Sequence, residues 1–455
     1  MSATRPLNAA ERITNFPFVC AAIFACSLAF GFAAFAVTDG PRTFAAAASG
    51  AFVLAALLLY PELTLALYVV IGDIKGDDRV AAILPFDLTL ALGAVLLAGI
   101  VLNFLRGKRI APMPGVYFLF IALVAMMAAS LAYTPVFDAG LEKLGRFVSV
   151  TSVMIVAPFL VLGTLQAVKR FLIGFGIAAF AICAWSLCAL SGSERLATPS
   201  NNTIGLGHIA CALILMIWFA VIPRFKFPWR LAVYPFLAIP GIALLGSGSR
   251  GPAIACGGVI LASLFFRRAR WLDLGCFAGL ALGALPFLNI PASSFEYLGT
   301  LIRSRSTAEL LSFRGDLLGS AWTLLQRHPL IGGGIQSFRY YSPNAGVYNW
   351  PHNIFLEIAC ELGIPAALIA CAIFLAAIRE ALRQLRDKVS PYFWISELAA
   401  ALVAVGIING TNTGDINSDR LTWLFVSLVF VVGHIRTRTA ESAASAIVVT
   451  RPVPA

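Results

Sequence analysis

The sequence predicts an all-α polytopic membrane protein, about 12–14 transmembrane helices and one long extramembrane loop that contains an amphipathic helix. Three observations predict it. Of 455 residues, 60% are hydrophobic and only 12% charged, too little polar surface for a soluble domain of this length to cover itself. Apolar runs of about 20 residues, the length a helix needs to cross the hydrocarbon, recur along nearly the whole chain. No stretch alternates polar and apolar residues as a membrane β-strand must, so the runs are helices.

The predicted spans are 17–37, 44–60, 62–74, 84–105, 114–133, 146–165, 169–190, 205–222, 231–246, 252–266, 271–289, 353–377, 394–412 and 421–435. The run at 62–74 is short and broken by Gly72 and Asp73, which suits a tilted or re-entrant segment. No signal-peptide cleavage pattern stands at the N-terminus, so the first run is expected to be retained as a span. No internal repeat or second domain interrupts residues 1–455, which read as a single membrane domain. The nine cysteines lie in or beside apolar runs with no metal-ligand spacing and read as small core residues.

The net charge of +11 is a topology signal rather than a mark of nucleic-acid binding. With both termini placed in the cytoplasm, twenty of the 33 Lys and Arg residues fall on the cytoplasmic side. They form short clusters such as Arg106-Gly107-Lys108-Arg109 and Arg267-Arg268-Ala269-Arg270. Five of the rest lie in one long loop, which the positive-inside rule does not count. Short basic links are held beside anionic lipid headgroups, so membrane lipid is itself a partner.

That long loop, 290–351, lies on the outer side and is the one large hydrophilic segment. Leu310, Leu311, Leu317, Leu318, Trp322 and Leu325 recur at helical spacing, predicting an amphipathic helix over Ala308 to Arg327. Ser306 and Glu309 form a capping-box pattern ahead of it and Pro329 follows its end. Gly332-Gly333-Gly334 reads as a flexible turn, followed by Phe338, Tyr340, Tyr341, Tyr348 and Trp350.

The outer side holds the candidate chemistry. His352, in Trp350-Pro351-His352-Asn353, begins the span after the loop and so sits at the membrane–water boundary. An imidazole there is either a general base near neutral pH or an interfacial capping residue. Arg250 stands in the outer turn Gly246-Ser247-Gly248-Ser249-Arg250-Gly251-Pro252 with no acid near in sequence, against the positive-inside pattern. A guanidinium in that position calls for an anionic partner, and the small residues around it admit a ligand close to the backbone. Arg195, ahead of Asn201-Asn202, is a second candidate, and Arg314 on the loop helix a third, with Arg303, Arg305 and Arg339 nearby. Guanidinium forks suit phosphate geometry, so this set fits a diphosphate-bearing ligand. For Arg195 and Arg314 the alternative is a local ion pair, with Glu194 and Asp316. Asp73, Asp77 and Asp78 in one loop, and Asp415 and Asp419 in another, offer a metal alternative. Asp77-Asp78 sits between Lys75 and Arg79, which suggests a solvated, self-neutralised turn, so neither metal nor cofactor is expected.

Ser312-Phe313-Arg314-Gly315-Asp316, His328-Pro329-Leu330-Ile331-Gly332-Gly333-Gly334 and Pro351-His352-Asn353 together resemble the O-antigen ligase and polymerase superfamily. The ligase pattern is His, then Asn, Ser or Gln, nine residues, Gly, two residues, and Gly, Thr or Tyr. Here nine residues, Ile354 to Leu362, separate His352-Asn353 from Gly363, and Ala366 departs from the pattern while remaining small. Ser249-Arg250-Gly251 and Arg195 match the family's two outer arginines. The resemblance implies a multi-pass bacterial inner-membrane glycosyltransferase whose site faces the periplasm. It would move a glycan from undecaprenyl diphosphate to lipid A-core oligosaccharide, with inversion and without metal, completing lipopolysaccharide. By position, His352 would activate the acceptor hydroxyl and Arg195 and Arg250 would hold the leaving diphosphate, with Arg314, Asn353 and Arg339 as substrate contacts. A polymerase extending lipid-linked repeats and a protein O-oligosaccharyltransferase share this logic. A transporter would place charged residues inside its spans, and here the span interiors are nearly free of them.

Overall fold

The computed structural model describes residues 53–83, 86–108, 110–188, 195–226, 228–266, 271–275, 278–279, 305–342, 349–388, 390–412 and 414–449. Within 305–314 it describes the backbone alone. The predicted span 17–37 and most of 271–289 lie outside the described residues.

Among the described residues the chain is helical, without strands, and eight helices are long and apolar enough to cross a membrane. In chain order the helices are α1 Val53–Leu59, α2 Pro61–Val70, α3 Asp78–Ile83, α4 Leu88–Leu105, α5 Tyr117–Ser130 and α6 Phe137–Arg146. There follow α7 Ser152–Val161, α8 Leu165–Cys188, α9 Thr203–Met216, α10 Tyr234–Gly246 and α11 Arg250–Phe266. The last are α12 Arg305–Arg327, α13 Ser337–Tyr341, α14 Ile354–Leu362, α15 Ile364–Arg386, α16 Phe393–Asn412 and α17 Arg420–Val449. A π-helical turn, Phe147–Thr151, joins α6 to α7 into one span, Phe137–Val161. The run 62–74, read from the sequence as tilted or re-entrant, is α2 with its 3-10 extension, and it meets α1 at 108° across Tyr60. Large apolar side chains stay exposed along the spans, among them Leu97, Phe118, Leu368 and Leu375, each more than 60% exposed. Such a surface is stable against lipid and not against water.

Two elements depart from the sequence reading, both near His352. The span expected over 353–377 is broken: α14 ends at Gly363, whose φ of +86° only glycine adopts readily, and α15 begins the crossing at Ile364. Gly332-Gly333-Gly334 is not a flexible turn but a clasp on the end of α14. The Gly333 and Gly334 amides donate to the Cys360 and Glu361 carbonyls, both at 2.9 Å, and Ile364 donates to the Pro329 carbonyl at 2.8 Å. These bonds satisfy carbonyls that a helix end leaves open. The contact is too close for side chains. A Cβ on Gly332 would run into the Glu361 backbone, and one on Gly334 would stand 2.6 Å from the Thr134 Cα.

A buried aromatic cluster lies where α5, the π turn, α15 and α17 meet. Phe120 stacks on Phe147 at 5.4 Å, and Trp423 lies 5.2 Å from Phe374. Trp423 is fully buried and its indole donates to the Ile416 carbonyl at 3.1 Å, which ties the loop between α16 and α17 to this core. At the opposite end of the bundle three arginines are paired with carboxylates. Arg436 reaches Asp387 at 2.7 Å, Arg230 reaches Asp273 at 3.1 Å, and Arg170 reaches Glu62 at 3.0 Å.

Candidate functional site at one rim of the bundle

Helices α10 and α16 end, and α9, α11 and α17 begin, at the same rim. Each helix N-terminus exposes unpaired amides and the positive end of its dipole, so three such ends on one rim favour an anion.

Arg195 and Arg250 are brought together here. The Arg195 Nε donates to the Ser247 carbonyl at 2.9 Å, and the Leu196 amide donates to the Gly246 carbonyl at 2.9 Å. The segment carrying Arg195 is therefore bonded to the turn that carries Arg250, and both arginines are half-buried. The small residues of that turn admit neighbouring chain: a Cβ on Gly246 would collide with Leu196. The Ser249 hydroxyl donates to the Thr203 carbonyl at 3.0 Å, which docks the turn onto the start of α9. Asn202 caps α9 by accepting from the Gly205 amide at 2.9 Å, while its Nδ2 donates to Asp73 at 3.2 Å.

His352 and Asn353 open α14 on the same rim. His352 is half-buried, with φ +57° in the left-handed region, and its ring meets the Trp350 indole edge-on at 5.8 Å. Asn353, expected to meet substrate, has its amide engaged at both ends within the protein. Its Oδ1 accepts from the Phe355 and Leu356 amides at 3.1 and 3.0 Å, and its Nδ2 donates to the Thr411 carbonyl at 3.1 Å. It is the N-cap that fixes the residue before it, and it ties α14 to the end of α16. Arg339 lies exposed on α13. Arg314, Ser306 and Glu309 stand on α12 with their side chains outside the described residues, and Arg303 lies outside the described residues altogether.

Beneath His352 lies a charge hub that the sequence reading did not anticipate. Lys143 of α6 stands 2.5 Å from Glu357 and 2.6 Å from Glu361, all three buried. The two acids are four positions apart, hence on one face of α14. Glu357 also accepts from the Ile416 amide at 3.0 Å, and Glu361 from the Gln336 amide at 2.8 Å. One helical face is thus bound to α6, to the α16–α17 loop and to the segment after the glycine clasp. Burial raises the Glu357 carboxyl above its ordinary range, with Asp415 and Glu361 adding to the effect and Lys143 opposing it. These acids fall within the span predicted over 353–377 and are its charged exceptions.

The acids of the α16–α17 loop are turned inward. Asp415 closes an Asx turn, accepting from the Asn417 and Ser418 amides at 2.7 and 2.9 Å. Burial pushes the neighbouring Asp419 carboxyl up to about 7. Among the described residues no group of three or more His, Cys, Asp or Glu side chains is arranged to hold a metal. A cavity of about 620 Å³ opens at the opposite end, but its Arg383 and Arg436 are bonded to Glu380 and Asp387, so its cations are spoken for.

A family model described as O-antigen ligase matches residues 235–371, a stretch that includes both the Arg250 turn and His352-Asn353. No curated protein matches the chain.

Proposed function

We propose, from the match of residues 235–371 to the O-antigen ligase family model, that this chain is a periplasmic glycosyltransferase. It transfers a glycan from undecaprenyl diphosphate to lipid A-core oligosaccharide, at the inner membrane, with both termini in the cytoplasm. The observation that carries the reading is the bond from Arg195 to the Ser247 carbonyl, which couples two guanidinium-bearing segments at the rim where α14 presents His352.

As the glycosidic bond breaks, negative charge accumulates on the departing diphosphate. Fixed cations beside it stabilise that charge more than the charge of the intact donor, which is what lowers a barrier. Arg195 and Arg250 serve there, and three helix N-termini add partial positive charge at no cost in reorganisation. His352 takes the proton of the acceptor hydroxyl as that oxygen forms its bond to the anomeric carbon, and the glycosidic bond to the diphosphate breaks. Single displacement inverts the centre. Arg314 and Arg339, on the loop elements, contact the polar part of the substrates, while the prenyl tail stays in lipid.

The test uses purified protein, undecaprenyl-diphosphate-linked glycan and lipid A-core in EDTA. Wild type should form ligated product, and Arg250→Ala and Arg195→Ala should each lower turnover roughly 10²–10³-fold, as for loss of one oxyanion donor. Elongated lipid-linked chains in place of ligated product would identify a polymerase. Unchanged turnover in both arginine variants would remove the electrostatic role.

A further inference from the structure

Arg420 is an arginine of this rim to which the sequence motifs draw no attention. It opens α17 directly after the buried Asp419. Its Nη1 lies against the backbone of the α2 extension, 3.3 Å from where a Cβ on Gly72 would stand. The next residue, Asp73, accepts from the Ser200 amide at 3.1 Å through its carbonyl, and from Asn202 at 3.2 Å through its side chain. Ser200 and Asn202 belong to the short turn that runs from Arg195 into α9. One contact layer therefore separates Arg420 from the Arg195 segment.

Its hydrogen bonding is incomplete. The Arg420 Nε is buried without a hydrogen-bond partner among the described residues, and no carboxylate there comes within 4.0 Å of the guanidinium. Asp73 and Asp415 act on it through space only, because the first is bonded to Asn202 and the second closes its Asx turn. A half-buried guanidinium has lost much of its water, and the absence of a carboxylate in contact leaves that loss uncompensated. A multivalent anion at the rim would compensate it, and Arg195 and Arg250 are the other cations such an anion would meet.

We infer that Arg420 is a third guanidinium of the lipid-diphosphate site and that it distinguishes a diphosphate from a monophosphate headgroup. The inference deepens the functional reading above and rests on it. Two phosphates call for more cations than one does, and a guanidinium fork at the start of α17 adds one to the rim that carries Arg195 and Arg250.

The experiment measures Kd for undecaprenyl diphosphate and undecaprenyl monophosphate, without glycan, on full-length protein in lipid nanodiscs. Wild type should prefer the diphosphate about tenfold or more, and Arg420→Gln should bring the two values within about threefold. Arg420→Gln with Asp73→Asn covers the case in which Arg420 merely neutralises Asp73. Restored diphosphate preference in that double variant would overturn the inference, as would a wild-type preference in a folded Arg420→Gln protein. Loss of preference in both variants supports it. If wild-type protein binds neither lipid, the functional reading itself fails, and that result is distinct from either outcome for Arg420.

Discussion

Replacing His352 with alanine is expected to lower turnover about 10²–10⁴-fold while leaving donor affinity within a few-fold of wild type. The expectation rests on where the imidazole sits. Pro351 precedes it, Asn353 caps the helix that follows, and Thr411 holds that cap from α16. A histidine at φ +57° is outside the ordinary regions of backbone space and costs on the order of 1 kcal/mol to keep there. A capping or interfacial residue needs no such placement, because Asn353 already performs the cap. Single-turnover rates separate the two roles. A base acts in the chemical step, so His352→Ala should slow that step with the donor still bound. Turnover within threefold of wild type would leave His352 with a structural part alone. Parallel losses of thermal stability and of donor binding would point the same way.

Replacing Lys143 with methionine is expected to destabilise the protein by about 3–5 kcal/mol, since it leaves two buried carboxyls around a vanished ammonium. A fall in Tm of the protein in nanodiscs, with loss of turnover, is the expected readout. Glu357 and Glu361 also bond main-chain amides, and glutamine can accept those bonds through its carbonyl oxygen. The triple variant Lys143→Met, Glu357→Gln, Glu361→Gln should therefore recover most of the lost Tm. A wild-type Tm in Lys143→Met alone would show that the hub does not hold α14.

Periodicity and length made most of the spans legible. Most of the eight span-length helices coincide with predicted runs, but Phe137–Val161 begins ahead of the run predicted over 146–165, Ile364–Arg386 takes only the second half of the run predicted over 353–377, and the bend between α1 and α2 lies at Tyr60 rather than at Gly72-Asp73. The arginine of the Ser247–Arg250 turn was also legible, because a cation in an outer turn without a sequence-local acid is costly wherever the turn packs. The hub was not. Lys143 and Glu361 are 218 positions apart, and only the folded bundle makes them neighbours. Two glutamates four apart in an apolar run were the available signal, since buried carboxyls require a partner. The glycine clasp escaped for a related reason. Three glycines in a row signal backbone freedom, but here they serve close approach, with the Glu361 backbone occupying the space a side chain would need. Gly363 carried the same information, as the left-handed break that separates α14 from α15. Arg420 was hidden by its place beside Asp419, which in sequence looks like a local ion pair.

The account stands on a lipid-borne diphosphate held at the rim formed by α9, α11, α14 and α17. A structure of the protein in nanodiscs with undecaprenyl diphosphate bound tests it most directly. Phosphate oxygens within roughly 3 Å of Arg195 and Arg250, the tail running into lipid and the His352 ring turned toward the vacant sugar position, are the predicted result. Density for the lipid at the opposite end, among Arg383 and Arg436, or with His352 turned away from the phosphates, would contradict it.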